Sequence, residues 1–504
     1  MKRSKFLWVC AVALGFAACT TDEVPVDVNQ HETDAYASVT IKFPGKVTRA
    51  LPGDYNESGT WVGRDKLKTV TVFLVNLDRA TVDFETFTET AFSGIDENGV
   101  LKPNLAMKAT AGDMIRTYVV INGETGILDD LKATNAAGFA AKFAGVQTKT
   151  ASQLASYDAT TGLETIMMTN DADAYSFRVL PGISEELAKT GSKNNVQVKV
   201  ERVVSRAFMT VTPETTEGAG WPVKAIIGGA AETQIATVTS VTYAVGQSNT
   251  KFYIMKQDDY STPDPVYSYV PTGTDWATKN ADFDYTGLGS FTEVRQWTYN
   301  ATDVATPLAA ETTSKFVLPV NHAVNEADDA ARRAFYKKGN TTYFEIQATF
   351  IPTEVITDSE GTIDHPDEAA TVFWGENDKK FYSTRDLAEA QGQKATKFTD
   401  GVMKYILWLN PNSLVSTPTV PNPMVSPTVR NQVYHAHIDA FLRMGLPNNP
   451  LNPADPNDTE NPENPISPYD PLKTDFTYLS VKVEVLPWTI HTYKYSLTDP
   501  GTMY

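Results

Sequence analysis

Cysteine is almost absent from this 504-residue chain: two occur, Cys10 and Cys19, and none follows. Beyond residue 19 a disulfide framework and a cysteine-based zinc site are therefore excluded, and stability has to come from buried apolar surface. Histidine is scarce too, with six residues. No Gly-x-Ser-x-Gly elbow, His-Glu-x-x-His pair, Gly-x-x-x-x-Gly-Lys loop or Gly-x-Gly-x-x-Gly turn occurs, so the common hydrolase, metalloprotease and nucleotide patterns are missing and no cofactor is expected. No apolar run reaches the roughly 20 residues of a membrane-spanning helix. Positive charge is in deficit: the net charge is -18, which would repel phosphates and argues against nucleic acid as a partner.

What the chain does have begins at its start. Lys2, Arg3 and Lys5 precede an apolar stretch over 6–16 that ends in Ala17, Ala18 and Cys19, the layout of a signal peptide. A thiol directly after small residues is the nucleophile acylated in lipoprotein maturation, so residues 1–19 read as a lipoprotein signal and Cys19 as a lipid anchor. Residues 20–34 are polar and acidic, as in a tether. Val39, Ile41 and Phe43 then alternate with Thr40 and Lys42, the period of a strand. Pro44-Gly45 ends it, and Arg49 and Ala50 follow in a basic, Gly/Pro-bounded stretch.

Beyond this, runs of β-branched and aromatic residues between turn residues predict strands at 69–76, 115–122, 196–211, 237–243, 251–255, 315–319, 342–351, 402–409, 432–440 and 478–485. Helical patterning is limited to short pieces such as 130–143 and 326–337. Many strands with few helices predict an all-β fold of packed sheets. The Pro-, Gly- and charge-rich segment 212–222 divides the chain into domains at 50–220 and 221–504. A Pro/Asn-rich insert at 445–471, with Asp455, Asp458, Glu460 and Glu463, reads as an extended loop; its carboxylates leave calcium or a partner open, without the Asp-x-Asp-x-Asp-Gly spacing of a calcium loop.

Candidate chemistry is thin. His435 and His437 fall on one face of a strand and could share a metal, but no third ligand is identifiable nearby, so an ordinary strand face is the simpler reading. Trp221, Trp276, Trp297 and Trp374 could stack on sugars or lie in the core. At the end of the chain, Leu479, Val481, Val483 and Val485 alternate; Pro487-Trp488 interrupts, and a second alternation runs through His491, Tyr493, Tyr495 and Leu497. A strand at a free end can leave its own domain and add to another sheet.

In order and spacing, several pieces resemble the fimbrillin family of Bacteroidetes, its short-fimbria shaft subunits above all. They are the segment ending at Cys19, the Lys46-Val-Thr-Arg-Ala50 junction, the runs 66–76 and 118–122, Val200-Glu-Arg-Val-Val-Ser-Arg-Ala207, Val429-Arg-Asn-Gln-Val-Tyr434 and Val485-Leu-Pro-Trp488. The resemblance implies two tandem transthyretin-like Greek-key β-sandwich domains, a structural pilin and no enzyme. It implies that an arginine-specific protease cuts between Arg49 and Ala50, making 20–49 a propeptide and removing the strand of Val39, Ile41 and Phe43. A donor strand at about 489–497, carrying Ile490, Tyr493, Tyr495 and Leu497, would fill the groove of the next subunit. The partners so implied are copies of the same chain in a head-to-tail polymer, accessory fimbrial subunits, an anchor subunit, and host or bacterial surface receptors. Export by the lipoprotein route to the outer membrane would end in extracellular fimbriae serving adhesion, coaggregation and biofilm formation. Two alternatives stay open: an accessory or tip adhesin, and a surface glycan-binding lipoprotein that keeps its anchor.

Overall fold

The computed structural model describes residues 34–43, 57–60, 63–95, 100–103, 106–191, 193–227, 232–258, 260–263, 282–300, 302–321, 335–409, 428–449, 451–452, 480–487 and 489–494. Cys19, Arg49, Ala50, Trp276, Tyr495, Leu497, residues 326–334 of the helical stretch predicted at 326–337, and the acidic part of the insert lie outside them. The described strands are β1 (Asp34–Lys42), β2 (Glu57–Thr60), β3 (Thr69–Asn76), β4 (Thr81–Thr88), β5 (Val100–Pro103), β6 (Met107–Thr110), β7 (Met114–Ile121), β8 (Met168–Asn170), β9 (Asn195–Arg202), β10 (Ser205–Val211), β11 (Trp221–Ile226), β12 (Glu232–Gly246), β13 (Tyr343–Pro352), β14 (Val402–Trp408), β15 (Gln432–Ala440), β16 (Ser480–Pro487) and β17 (Thr489–Lys494), with shorter ones between.

The first lobe is built on a 10-stranded sheet in the order β4-β3-β7-β8-β9-β1-β5 and then Phe92–Ile95, with β6 beside the first half of β1. β3 is buried without a break from Val70 to Asn76, with four consecutive apolar residues at Val72, Phe73, Leu74 and Val75, because both its faces are covered. On one side lie α1 (Thr125–Lys132) and α2 (Ala136–Phe143), whose Phe139 and Phe143 pack on Phe73 and Tyr118 with ring centroids 4.7 to 5.1 Å apart. The helical stretch expected at 130–143 is thus two helices. Asn135 explains the break, since its side chain accepts from Gly138 N at 2.9 Å and caps α2. β4 forms the sheet edge and presents Asp83 and Glu85 to solvent, charges that discourage further pairing.

The second lobe is a sandwich. One sheet runs β2-β17-β16-β15-β10, the other β11-β12-β13-β14. Ala207, Met209 and Val211 of β10 and Tyr434, Ala436 and Ile438 of β15 meet Phe344, Ile346, Met403, Tyr405 and Leu407 of the facing sheet in one core. A small sheet spanning 355–398 adds Trp374, Phe381 and Phe398 to it.

The long strand expected at 196–211 is two strands in different sheets, β9 in the first lobe and β10 in the second. Val203 and Val204 between them are fully buried, so hydropathy shows no interruption where the chain changes lobes. The Pro/Gly segment 212–220 instead turns within the second lobe, from β10 to β11. Gly220 sits there at φ +68°, where a Cβ would come within 2.2 Å of Val238 O. We therefore place the lobe boundary at 203–204 rather than near 220.

A buried ionic cluster ties the lobes together. Glu164 of the first lobe accepts from Arg64 at 3.0 Å and Ser314 at 2.6 Å and pairs with Arg206 at 3.1 Å. Arg206 also pairs with Glu311, which accepts from the Tyr243 hydroxyl at 2.8 Å. Nearby, Arg202 pairs with Asp65 and donates to Asn431 at 2.9 Å. The two carboxylates behave oppositely. Burial raises Glu311 to about 7 despite Arg206. Burial also works to raise Glu164, but Arg206, Ser314 and Arg64 together hold it below the usual range.

An acid raised in the folded state favours folding most below its unfolded pKa and loses that contribution as pH rises through the folded value. Glu311→Gln should therefore gain stability relative to wild type between pH 5 and pH 8, by up to roughly 3 kcal/mol. Denaturant unfolding at the two pH values reads this directly, and an unchanged difference would contradict it. Glu164→Ala should cost about 3–5 kcal/mol at neutral pH by leaving arginines buried without their carboxylate.

Candidate functional site: a sealed strand at the start and a paired strand at the end

β1 is longer than its sequence pattern suggests. Ala35, Ala37, Val39, Ile41 and Phe43 all point into the first core, each 7% exposed or less. Residues 35 and 37 continue the period-two alternation, but alanine is a weak strand signal, so the sequence pattern marks the strand only from Val39. The opposite face is covered as well. Ser38 donates to Ala188 O in α3 (Glu185–Lys189), and Thr40 to Asn195 Oδ1 at 3.0 Å.

Both edges of β1 are occupied. It runs parallel to β9, with Val39 opposite Val196 and Ile41 opposite Val198. On its other side it is antiparallel to β6 at Ala35↔Ala109 and to β5 at Ile41↔Leu101. Asn194 reinforces the seam, donating from Nδ2 to Tyr36 O at 3.0 Å while its backbone carbonyl accepts from Ser38 N at 2.9 Å. β1 is therefore an interior strand; without it, the chain would present a groove with β9 on one wall and β5 and β6 on the other.

The terminal strand β17 is paired within its own lobe. Ile490 and His491 lie opposite Val485 and Glu484 of β16, Ile490 and Tyr493 opposite Val433 and Ala436 of β15, and His491 opposite Glu57 of β2. A strand so placed can fill another groove only by exchange, giving up one ladder for another.

His435 and His437 share a face of β15, as their spacing predicts, and both are fully buried. Their ring nitrogens bond Thr210 Oγ1 at 2.8 Å, and His437 also bonds Thr212 Oγ1 at 3.0 Å. Trp297 and Phe208 pack around them. Burial, with His437 alongside, holds His435 well below its ordinary pKa. Among the described residues no group of three His, Cys, Asp or Glu could hold a metal. Trp221 and Trp374 are core residues. The start of the Pro/Asn-rich insert is also packed rather than extended: Asn449 and Leu451 are fully buried, because Leu446 exchanges 2.7 Å backbone hydrogen bonds with Lys404 of β14.

These features define a two-lobed β protein with an interior strand sealed near its beginning and another strand paired near its end. Residues 396–494 match the family model described as the major fimbrial subunit protein type IV, fimbrillin, C-terminal. Two Porphyromonas gingivalis proteins named minor fimbrium subunit Mfa1 are 30% and 29% identical, each over 98% of this chain and 99% of their own length. Among solved structures, a putative cell adhesion protein of Parabacteroides distasonis is 12% identical with a TM-score of 0.40, covering 91% of this chain and all of its own. A fimbrilin of P. gingivalis is also 12% identical, with a TM-score of 0.35, covering 93% of this chain and 99% of its own. The chain belongs to the fimbrillin family of Bacteroidetes.

Ile41 is fully buried at the centre of the β1 seam. Ile41→Ala should destabilise the first lobe of the uncleaved chain by about 2–5 kcal/mol, measured by denaturant unfolding. A cost within experimental error would mean that β1 is not sealed into the folded protein.

Proposed function

We propose that the chain is a repeating structural subunit of a fimbria, assembled by strand exchange after its propeptide is removed. The observation that carries this reading is β1. It occupies an interior position in the first sheet, and the sequence places Arg49 a short way beyond its end. Cleavage between Arg49 and Ala50 would free a strand held by hydrogen bonds and packing alone. Arg64, by contrast, has its guanidinium engaged by Glu164 and Ser314, which disfavours it as a protease site.

In this reading Cys19 is the anchor used for export, and 20–49 is discarded with β1. The vacated groove is filled by the terminal strand of another copy, around 489–497, with Ile490, Tyr493, Tyr495 and Leu497 as candidate contacts. Val39, Ile41 and Phe43 mark what the incoming strand has to replace, at roughly 1.5–3 kcal/mol for each large apolar side chain, together with two hydrogen-bonded ladders. A subunit that receives a strand at one end and gives one at the other makes a head-to-tail contact that grows into a filament. Having both ends favours a shaft subunit over a tip adhesin. The burial of Trp221 and Trp374 removes two of the aromatic platforms that a glycan binder would need. The work of such a chain is assembly, adhesion and biofilm formation at the cell surface, with accessory and anchor subunits as partners, and no substrate turnover.

Arg49→Ala should leave an uncleaved, monomeric chain; filaments of normal yield from this variant would refute the cleavage step. Truncation after Thr492 should give a folded, cleavable monomer that does not polymerise, read by size-exclusion chromatography and electron microscopy. Unchanged fibre yield would remove the terminal strand from the mechanism. N-terminal sequencing of assembled protein should begin at Ala50, whereas an acyl-blocked Cys19 would favour the glycan-binding reading.

A further inference from the structure

On the outer face of the β12–β13–β14 sheet, away from the sandwich core, three side chains converge on one buried carboxylate. Glu345 of β13 is fully buried. Its Oε1 lies 3.6 Å from Lys404 Nζ of β14, and its Oε2 accepts from Asn449 Nδ2 at 2.5 Å. The sheet register sets the first contact: Glu345 pairs with Ile406 and Gln347 with Lys404, so Glu345 and Lys404 are diagonal neighbours on one face, within reach of long side chains. The reciprocal bonds between Lys404 and Leu446 set the second by fixing the backbone that leads to Asn449.

The amide of Asn449 is oriented from both ends. Its nitrogen also donates to the Tyr343 hydroxyl at 3.0 Å, and its Oδ1 accepts from Leu451 N at 3.0 Å. A backbone N–H aimed at a carbonyl oxygen stabilises the negative charge that grows there on nucleophilic attack. Gln347 Nε2 donates to Glu345 Oε1 at 3.2 Å and so orients the carboxylate. The surroundings are apolar and aromatic, with Tyr343, Trp408, Ile406, Leu288 and Leu451 closing the site.

We propose that Lys404, Glu345 and Asn449 form an intramolecular isopeptide cross-link. The Lys404 ammonium passes a proton to the Glu345 carboxylate, and the neutral amine attacks Asn449 Cγ. Glu345 then delivers that proton to the amide nitrogen, which leaves as ammonia, and accepts the second proton that the Lys404 nitrogen sheds as the new amide forms. Of the two protons Lys404 loses, one departs in the ammonia and the other stays on Glu345. One C–N bond forms, one breaks, and no oxidant or cofactor takes part. Enclosure makes the step feasible, because holding nucleophile, proton carrier and electrophile together replaces a bimolecular encounter. The reaction occurs once per chain and is a maturation step, not turnover.

The bond would join β14 to the start of the Pro/Asn-rich insert and close a covalent loop around β15. It would be a covalent staple in a chain that has no cysteine beyond residue 19. Under the strand-exchange reading above, pull arriving through the C-terminal strand would pass from Asn449 into β14 without unzipping β15. The cross-link itself does not depend on that reading.

Trypsin digestion of the purified, folded chain followed by mass spectrometry tests it. The expected product is a branched peptide joining residues 398–430 to residues 444–473, uncut at Lys404 and lighter than the sum of its parts by one ammonia. Glu345→Gln, which keeps the shape of the site but cannot carry the proton, should abolish the branched peptide, as should Lys404→Arg. Wild-type protein that yields the separate peptides, cut after Lys404, would overturn the proposal even if the variants fail to fold. So would loss of ammonia without a branch, or a branch that persists in Glu345→Gln.

Discussion

The architecture rests on the hydrogen-bonding valence of one interior strand. β1 has neighbours on both edges and cover on both faces, so it cannot leave without exposing two rows of backbone donors and acceptors and a trough lined by the first core. Each such group is costly to leave unpaired away from water. A chain with this arrangement is satisfied with β1 in place, and loss of β1 would have to be made good by a strand of similar length. Under the proposed function, that constraint would turn a covalent cut near β1 into a change of partner rather than a local loosening.

The second constraint is the joint between the lobes. The joint at Val203 and Val204 is apolar and continuous, and the Arg64–Glu164–Arg206–Glu311 cluster spans it with charges that have little water to fall back on. Such a cluster adds little net stability compared with an apolar contact of the same size, yet it is intolerant of a missing member. It ties together the lobe that holds β1 and the lobe that holds β17. The segment between β2 and β3 supplies Arg64 and Asp65 to this joint, so chain downstream of the proposed cut is committed to holding the lobes together.

Much of the fold was legible in the sequence because strand signals are local. The runs of β-branched and aromatic residues at 69–76 and 432–440 correspond to strands with those same limits. Failures arose where the deciding partner was distant. Val203 and Val204 carry the chain between lobes without any polar interruption. The Pro/Gly segment 212–220 looked like a linker but is a turn within one lobe. Ala35 and Ala37 gave too little apolar signal to extend β1. Asn449 lay in a segment whose composition suggested an exposed loop, yet its amide is buried against Glu345, a residue over a hundred positions away. His435 and His437 shared a face, as spacing required, and the threonines that occupy their ring nitrogens could be seen only once β10 lay beside β15.

The sequence by itself determined the all-β class, the strand through Val39, Ile41 and Phe43, the alternating strand near residues 480–487 and the absence of any cysteine beyond residue 19. These follow from side-chain type and spacing along the chain, which act over a few residues. Tertiary structure alone decided that β1 is interior rather than an edge, that the terminal strand is already paired, where the lobes divide, and that a lysine, a glutamate and an asparagine share one buried site. Those outcomes depend on which strands become neighbours, and that is settled by long-range packing and sheet register, for which no local pattern carries the information.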